Sequence, residues 1–116
     1  MSKISFDLDG TYLEYPDTFD AMAVMLQASG HEVGILTARS EDLPDGHPEA
    51  KNGGYVEVGF EPDFEYYLGL KDDENTPQEK AMEKTIMIQQ ENIDIHYDDE
   101  YQVFPDYIKE QIIEID

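Results

Sequence analysis

The 116-residue sequence predicts a single α/β domain built on a mostly parallel sheet, and three observations carry that prediction. Short apolar runs at residues 4–6, 32–37 and 93–97 alternate with segments of helical spacing, the pattern of βαβ units with right-handed crossovers. Each of these runs ends in polar residues, Asp7/Asp9, Thr37 and Asp98/Asp99, and ligands of open parallel sheets gather at the strands' carboxyl ends. A hydrophobic fraction of 40% supplies a core in spite of the charge excess, which argues for a folded chain over a disordered one.

Taken in order, Ile4 to Phe6 form the first strand, which stops at two carboxylates one residue apart. A period of two sends Asp7 and Asp9 to one side while Leu8 turns to the core, so both acids share one small volume. Gly10 permits close backbone approach and Thr11 adds a hydroxyl at the turn. Residues 17–29 place Phe19, Met22, Ala23 and Leu26 on one helical face, with Pro16 and Asp17 suited to its start and Gly30 to its stop. The run 32–37 is the second strand. Pro44, Asp45-Gly46 and Pro48 mark residues 39–53 as a loop.

Residues 54–60 alternate Tyr55 and Glu57 with Val56 and Val58, which predicts a strand or hairpin arm. The run 64–70 is compatible with strand or helix, and 71–77 is a turn. Helical spacing returns over 78–91, where Ala81, Met82, Ile86 and Ile88 give an irregular stripe. Ile93, Ile95 and Tyr97 alternate with Asp94 and His96 in a further strand that ends at Asp98-Asp99. Pro105 opens a turn or short helix, and residues 111–115 close the chain as a last strand.

Composition excludes several classes of function. Twenty-eight acids against seven Lys and Arg give a net charge of −21, which repels phosphate backbones and offers no basic cluster for nucleic acid. Most of these acids read as solvated surface. Without cysteine there are no disulfides and no thiolate metal sites. No apolar run approaches the ~18 residues that span a bilayer, so the expectation is a cytoplasmic protein with no membrane partner.

Paired acids at strand ends favour a hard cation. Magnesium takes oxygen ligands in octahedral geometry, and carboxylates from two strands with a backbone carbonyl make a plausible shell that a phosphate oxygen completes. Phosphoryl transfer further requires a nucleophile, positive charge on the transferring group and a proton donor for the leaving oxygen. A carboxylate serves as that nucleophile when a cation offsets its repulsion from phosphate.

The run Phe6-Asp7-Leu8-Asp9-Gly10-Thr11 resembles the first motif of the haloacid dehalogenase-like (HAD) phosphatase superfamily. Ile35-Leu36-Thr37-Ala38-Arg39 resembles its second motif, a strand ending in a hydroxyl, and Ile95-His96-Tyr97-Asp98-Asp99 its fourth, a strand ending in paired acids. The third motif is a lone lysine on the preceding helix, for which Lys80 and Lys84 are candidates that share one face. Lys84 lies nearer the Asp98 strand and is preferred. The likeness runs in order from residue 3 to about residue 115, leaves residues 40–79 unassigned, and is to small phage and bacterial members.

The resemblance implies a three-layer, Rossmann-like HAD fold with a minimal or absent cap, and a Mg²⁺-dependent phosphatase. By it, Asp7 is the nucleophile that becomes phosphorylated, and Asp9 protonates the leaving group and then activates water. Thr37 and Lys84 hold the phosphate. Asp98 and Asp99 bind Mg²⁺ together with Asp7 and the Asp9 carbonyl. The expected partners are a phosphorylated small molecule or a phosphoprotein, ahead of nucleic acid. An interaction protein on the same fold, binding a phosphorylated partner with little or no turnover, is the alternative.

Other polar residues have plainer readings. Arg39 either binds substrate or, more plainly, pairs with one of the many acids; His96 reads as a packed or hydrogen-bonded histidine ahead of a catalytic one; Tyr12 and Tyr15 either line the entrance or are half-buried; and Asp72-Asp73 faces solvent. Asp7-x-Asp9-Gly10 lacks the third Asp or Asn of a calcium loop and follows a strand, which speaks against a calcium module.

Overall fold

The computed structural model describes residues 1–50, 53–71 and 73–115. Five strands, β1 (Lys3–Phe6), β2 (Glu32–Thr37), β3 (Glu65–Tyr67), β4 (Ile95–Asp98) and β5 (Ile112–Glu114), form one all-parallel sheet in the order β3-β2-β1-β4-β5. The chain builds outward from β1 to β3, then returns to the other side of β1 for β4 and β5. That reversal creates a crevice at the carboxyl ends of β1 and β4, which is where open α/β sheets bind ligands.

Two helices flank the sheet. Helix α1 (Pro16–Ala28) starts with proline in its first turn, where the missing N–H costs nothing. Gly30 and His31 close it by donating N–H bonds to the Gln27 and Leu26 carbonyls, both 3.0 Å. Its Phe19 and Ala23 pack with Ile4, Phe6, Val33 and Ile35, and Met22 and Leu26 border the same cluster, as their spacing predicts. Phe19 meets the Phe6 ring edge-on at 4.7 Å. Leu36, one residue out of phase, faces the opposite cluster with Ala81 and Ile88 of α2 (Pro77–Gln90). Each face of the sheet therefore carries one helix, an arrangement compatible with a Rossmann-like fold.

Three details differ from the sequence expectation. The segment 54–60 is not a strand; its one ladder contact is an isolated bridge between Pro44 and Tyr55. Val56 and Val58 do pack against the α1-side core, so the alternation is real, but the Tyr67 hydroxyl takes the place of a neighbouring strand. It accepts from the Val56 N–H at 3.4 Å and donates to the Val56 carbonyl at 3.1 Å. The third strand comes instead from the ambiguous run 64–70.

Ile93 belongs to the stop of α2 and not to β4. Asn92 adopts φ 55°, and the Ile93 N–H reaches back to the Ile88 carbonyl at 2.9 Å. The buried stripe of α2 is Ala81, Lys84, Thr85 and Ile88, while Met82 and Ile86 are exposed. Two polar residues thus occupy the face that apolar spacing alone assigned elsewhere. Among the described residues no helix is long and apolar enough to cross a membrane. Asp73 is exposed as expected, and Asp72 lies outside the described residues.

Candidate active site

The crevice holds a cleft of about 230 Å³ lined by Asp7, Asp9, Gly10, Thr37, Lys80, Lys84, Asp99 and Glu100, among others. Asp7 follows directly on β1, and its N–H is fixed to the Tyr97 carbonyl of β4 at 3.0 Å. The chain then enters a turn, Leu8–Tyr12, closed by the widely spaced bonds Tyr12 N–H to Asp7 carbonyl and Leu13 N–H to Leu8 carbonyl. Strand periodicity therefore ends at Asp7. Asp9 still lines the cleft, but from the turn, and its carboxylate goes elsewhere than that of Asp7.

Asp7, Asp98 and Asp99 each offer a carboxylate oxygen within 4.8 Å of the others. Lys84 reaches into this cluster from α2, 2.8 Å from Asp98 Oδ2 and 3.3 Å from Asp7 Oδ1, and is itself buried. Burial works against the ammonium, yet Asp7 and Asp98 outweigh it and hold the Lys84 pKa above its ordinary value. The Lys84 ammonium thus contacts two of the three carboxylates. The shortfall falls on Asp7, where burial, followed by repulsion from Asp98 and Asp99, outweighs Lys84 and pushes the pKa well up. Asp99 is also raised, by partial burial and by Asp98 and Glu100 beside it.

Asp98 differs because it is fully supported. Burial opposes its charge, but Lys84 and His96 prevail and hold its pKa below the usual carboxylate range. His96 Nε2 lies 2.8 Å from Asp98 Oδ2, and the Glu100 N–H donates to Oδ1 at 2.9 Å. An ionised carboxylate only accepts, so Nε2 carries the proton. Burial holds the imidazole neutral, and its Nδ1 accepts from the Ser5 hydroxyl at 2.7 Å. Ser5 and His96 are register partners in β1 and β4, and each stands two residues before an acid. Period two therefore puts Ser5, Asp7, His96 and Asp98 on the sheet face that α2 covers.

The remaining expected residues sit around this core. Thr37 is fully buried at the end of β2 and lines the cleft. Lys80 also lines the cleft, one turn before Lys84 on α2. The Asp9 carboxylate is absent from the three-acid cluster and is instead gripped by Arg39, whose Nε and Nη2 lie 3.0 and 2.8 Å from its two oxygens. The reading of Arg39 as an ion-pair partner holds, with Asp9 and Asp45 as its partners. Gly10, at φ 75°, leaves room for Asp99: a β-carbon there would run into the Asp99 carboxylate.

Residues that sequence reasoning missed are mostly supports. The Ser5 and His96 pairing was readable only once β1 and β4 were known to be adjacent. The start of α2 had a clearer signal in Thr76-Pro77-Gln78-Glu79, a capping box in which Thr76 Oγ1 accepts from the Glu79 N–H at 3.1 Å and Glu79 accepts from the Thr76 N–H at 2.8 Å. That box fixes where α2 begins and hence which turn carries Lys84 to the sheet. No family model, curated protein or solved structure matches this chain.

Proposed function

We propose that this chain is a HAD-like, Mg²⁺-dependent phosphatase that hydrolyses phosphomonoesters through an aspartyl-phosphate on Asp7. The observation that carries this reading is the cluster of Asp7, Asp98 and Asp99 around a single buried lysine at the switch point of a parallel sheet. The order of the motif-like runs along the chain adds to it, as does the β3-β2-β1-β4-β5 strand order, in which β1 and β4 lie side by side.

The residues fit a divalent cation. All the donors are oxygens, as hard cations require, and the carboxylates exceed the ammonium charge available to them. Asp7, Asp98 and Asp99 would hold it, with the Asp9 carbonyl assigned by resemblance. Mg²⁺ would supply positive charge that lets a carboxylate approach a phosphate dianion.

The chain's own groups account for the rest. An Asp7 oxygen attacks phosphorus as the ester P–O bond breaks, and Asp9 gives its proton to the departing oxygen. Lys84 offsets the charge on the transferring group, and Thr37 hydrogen-bonds it. Water then attacks the phosphorus of the aspartyl-phosphate while Asp9 takes the proton, which releases phosphate and restores Asp7. A 230 Å³ cleft accommodates a phosphate with a modest leaving group. The charge of −21 disfavours long nucleic acids, leaving phosphorylated small molecules or proteins as the substrate class.

Hydrolysis of an aryl phosphate tests this. Turnover should require Mg²⁺, stop on chelation and be lost in Asp7→Asn. Activity that survives both changes would refute the mechanism. Capture of phosphorylated ligands without turnover would favour the interaction reading.

A further inference from the structure

Arg39 is buried, with 7% of its surface exposed, although it is one of only seven Lys and Arg in a strongly acidic chain. Its guanidinium is used on three sides. Nε and Nη2 hold the two Asp9 oxygens, and Nη1 donates to Asp45 Oδ1 at 2.6 Å and to the Gly54 carbonyl at 3.0 Å. Its backbone N–H reaches Thr37 Oγ1 at 3.3 Å. Gly53, at φ 89°, packs against the guanidinium so closely that a β-carbon would fall 2.8 Å from Nη1. The loop is also tied to itself, with the Asp45 N–H donating to the Tyr55 carbonyl and the Tyr55 N–H to the Leu43 carbonyl.

We propose that Arg39 is a positioning residue that locks the Asp9 carboxylate in one orientation at the cleft and makes the loop residues Asp45, Gly53 and Gly54 part of the site's support. The inference rests on the phosphatase reading for its catalytic half only. Asp9 is half exposed and stands in a turn, so its carboxylate has no packing to fix it. Two parallel N–H bonds from a planar fork define both its place and its plane, while each oxygen keeps a lone pair to accept a proton. A lysine cannot do this, because an ammonium is a point donor without the fork. The loop enters because the same guanidinium is held from behind by Asp45 and Gly54. Loosening the loop therefore frees Arg39 and, through it, Asp9.

The test is a double-mutant cycle read on steady-state turnover of an aryl phosphate with Mg²⁺, at enzyme concentrations that quantify the slow variants. Misplacing a reacting group costs on the order of 100-fold, so Arg39→Lys should lower kcat by about that factor with little change in KM. In an Asp9→Asn background the same substitution should have no further effect. Asp45→Ala, which removes the loop carboxylate that accepts from Arg39 Nη1, should lower kcat less, and again only when Asp9 is present. Losses that multiply in the double variants would overturn the proposal.

Hydrogen exchange provides a readout independent of activity. The Asp45 and Tyr55 amides should exchange roughly 10-fold faster in both Arg39→Lys and Asp9→Asn than in the wild-type protein. Unchanged exchange in Asp9→Asn would overturn the link between Asp9 and the loop. If the wild-type protein hydrolyses no phosphate ester, the phosphatase reading fails by itself, and the exchange comparison still decides whether Arg39 couples Asp9 to the loop.

Discussion

Replacing Lys84 with methionine removes the buried ammonium that contacts Asp7 and Asp98 of the three-acid cluster while keeping the length of the side chain. At an effective dielectric of ~20, its attraction is about 6 kcal/mol to Asp98 at 2.8 Å and about 5 kcal/mol to Asp7 at 3.3 Å. Desolvation of the buried ions cancels much of this, and removing one partner of a buried pair typically costs about 3–5 kcal/mol. For a domain of this size a kcal/mol moves the melting temperature by about 4 °C, so Lys84→Met should melt about 12–20 °C lower in metal-free buffer at neutral pH. Thermal denaturation followed by circular dichroism reads this directly. Protonation of Asp7 relieves the excess negative charge, so the gap should narrow on acidification, and added Mg²⁺ should narrow it through binding to the folded state alone. A melting temperature within 4 °C of the wild type, or a deficit insensitive to both acid and Mg²⁺, would refute the role of Lys84 as the cluster's counter-charge.

Asp7→Asn should raise stability in metal-free buffer at neutral pH. A carboxyl whose folded pKa is raised binds more protons folded than unfolded, so it lowers stability as pH climbs above the unfolded value; the advantage of Asn should vanish as pH falls toward about 4. Asp98 has the opposite sign: its lowered pKa gives stability that is present above the unfolded value and lost as pH falls through the folded one, so acid unfolding of Asp98→Asn should lack that component. Gly10→Ala should destabilise the fold by about 1–3 kcal/mol, because the backbone has φ 75° and the methyl meets Asp99. It should also weaken Mg²⁺ binding by calorimetry, and unchanged affinity would count against Asp99 as a ligand.

How much was legible in the sequence follows from how local each signal is. The strand ends at Asp7, Thr37 and Asp98 could be read because an apolar run that stops at a polar residue is visible within a few positions. Helix α1 was legible for the same reason: Phe19, Met22, Ala23 and Leu26 are apolar and all face the core. Helix α2 was legible as a helix over 78–91, but its buried face was not, because that face includes Lys84, which serves the cleft, and Thr85, whose hydroxyl bonds back to the Ala81 carbonyl at 2.8 Å. Hydrophobic spacing assigns such residues to solvent. The segment 54–60 shows the converse, since half-burial produced alternation without a partner strand. Arg39 and Asp9 are 30 residues apart, and Ser5 and His96 are 91 apart, so their pairings depend on sheet order and not on any nearby pattern.

The proposed mechanism depends most directly on an Asp7 carboxylate oxygen taking the phosphoryl group. An acyl phosphate is reduced by borohydride to the alcohol, so trapping the protein during turnover of an aryl phosphate with Mg²⁺ and reducing it should convert residue 7 to homoserine. Peptide mass spectrometry locates the change. The prediction is homoserine at position 7 in the wild-type protein, none without substrate or Mg²⁺, and more when Asp9→Asn slows attack by water. Steady hydrolysis with residue 7 recovered only as aspartate, or with the label on another residue, would contradict it.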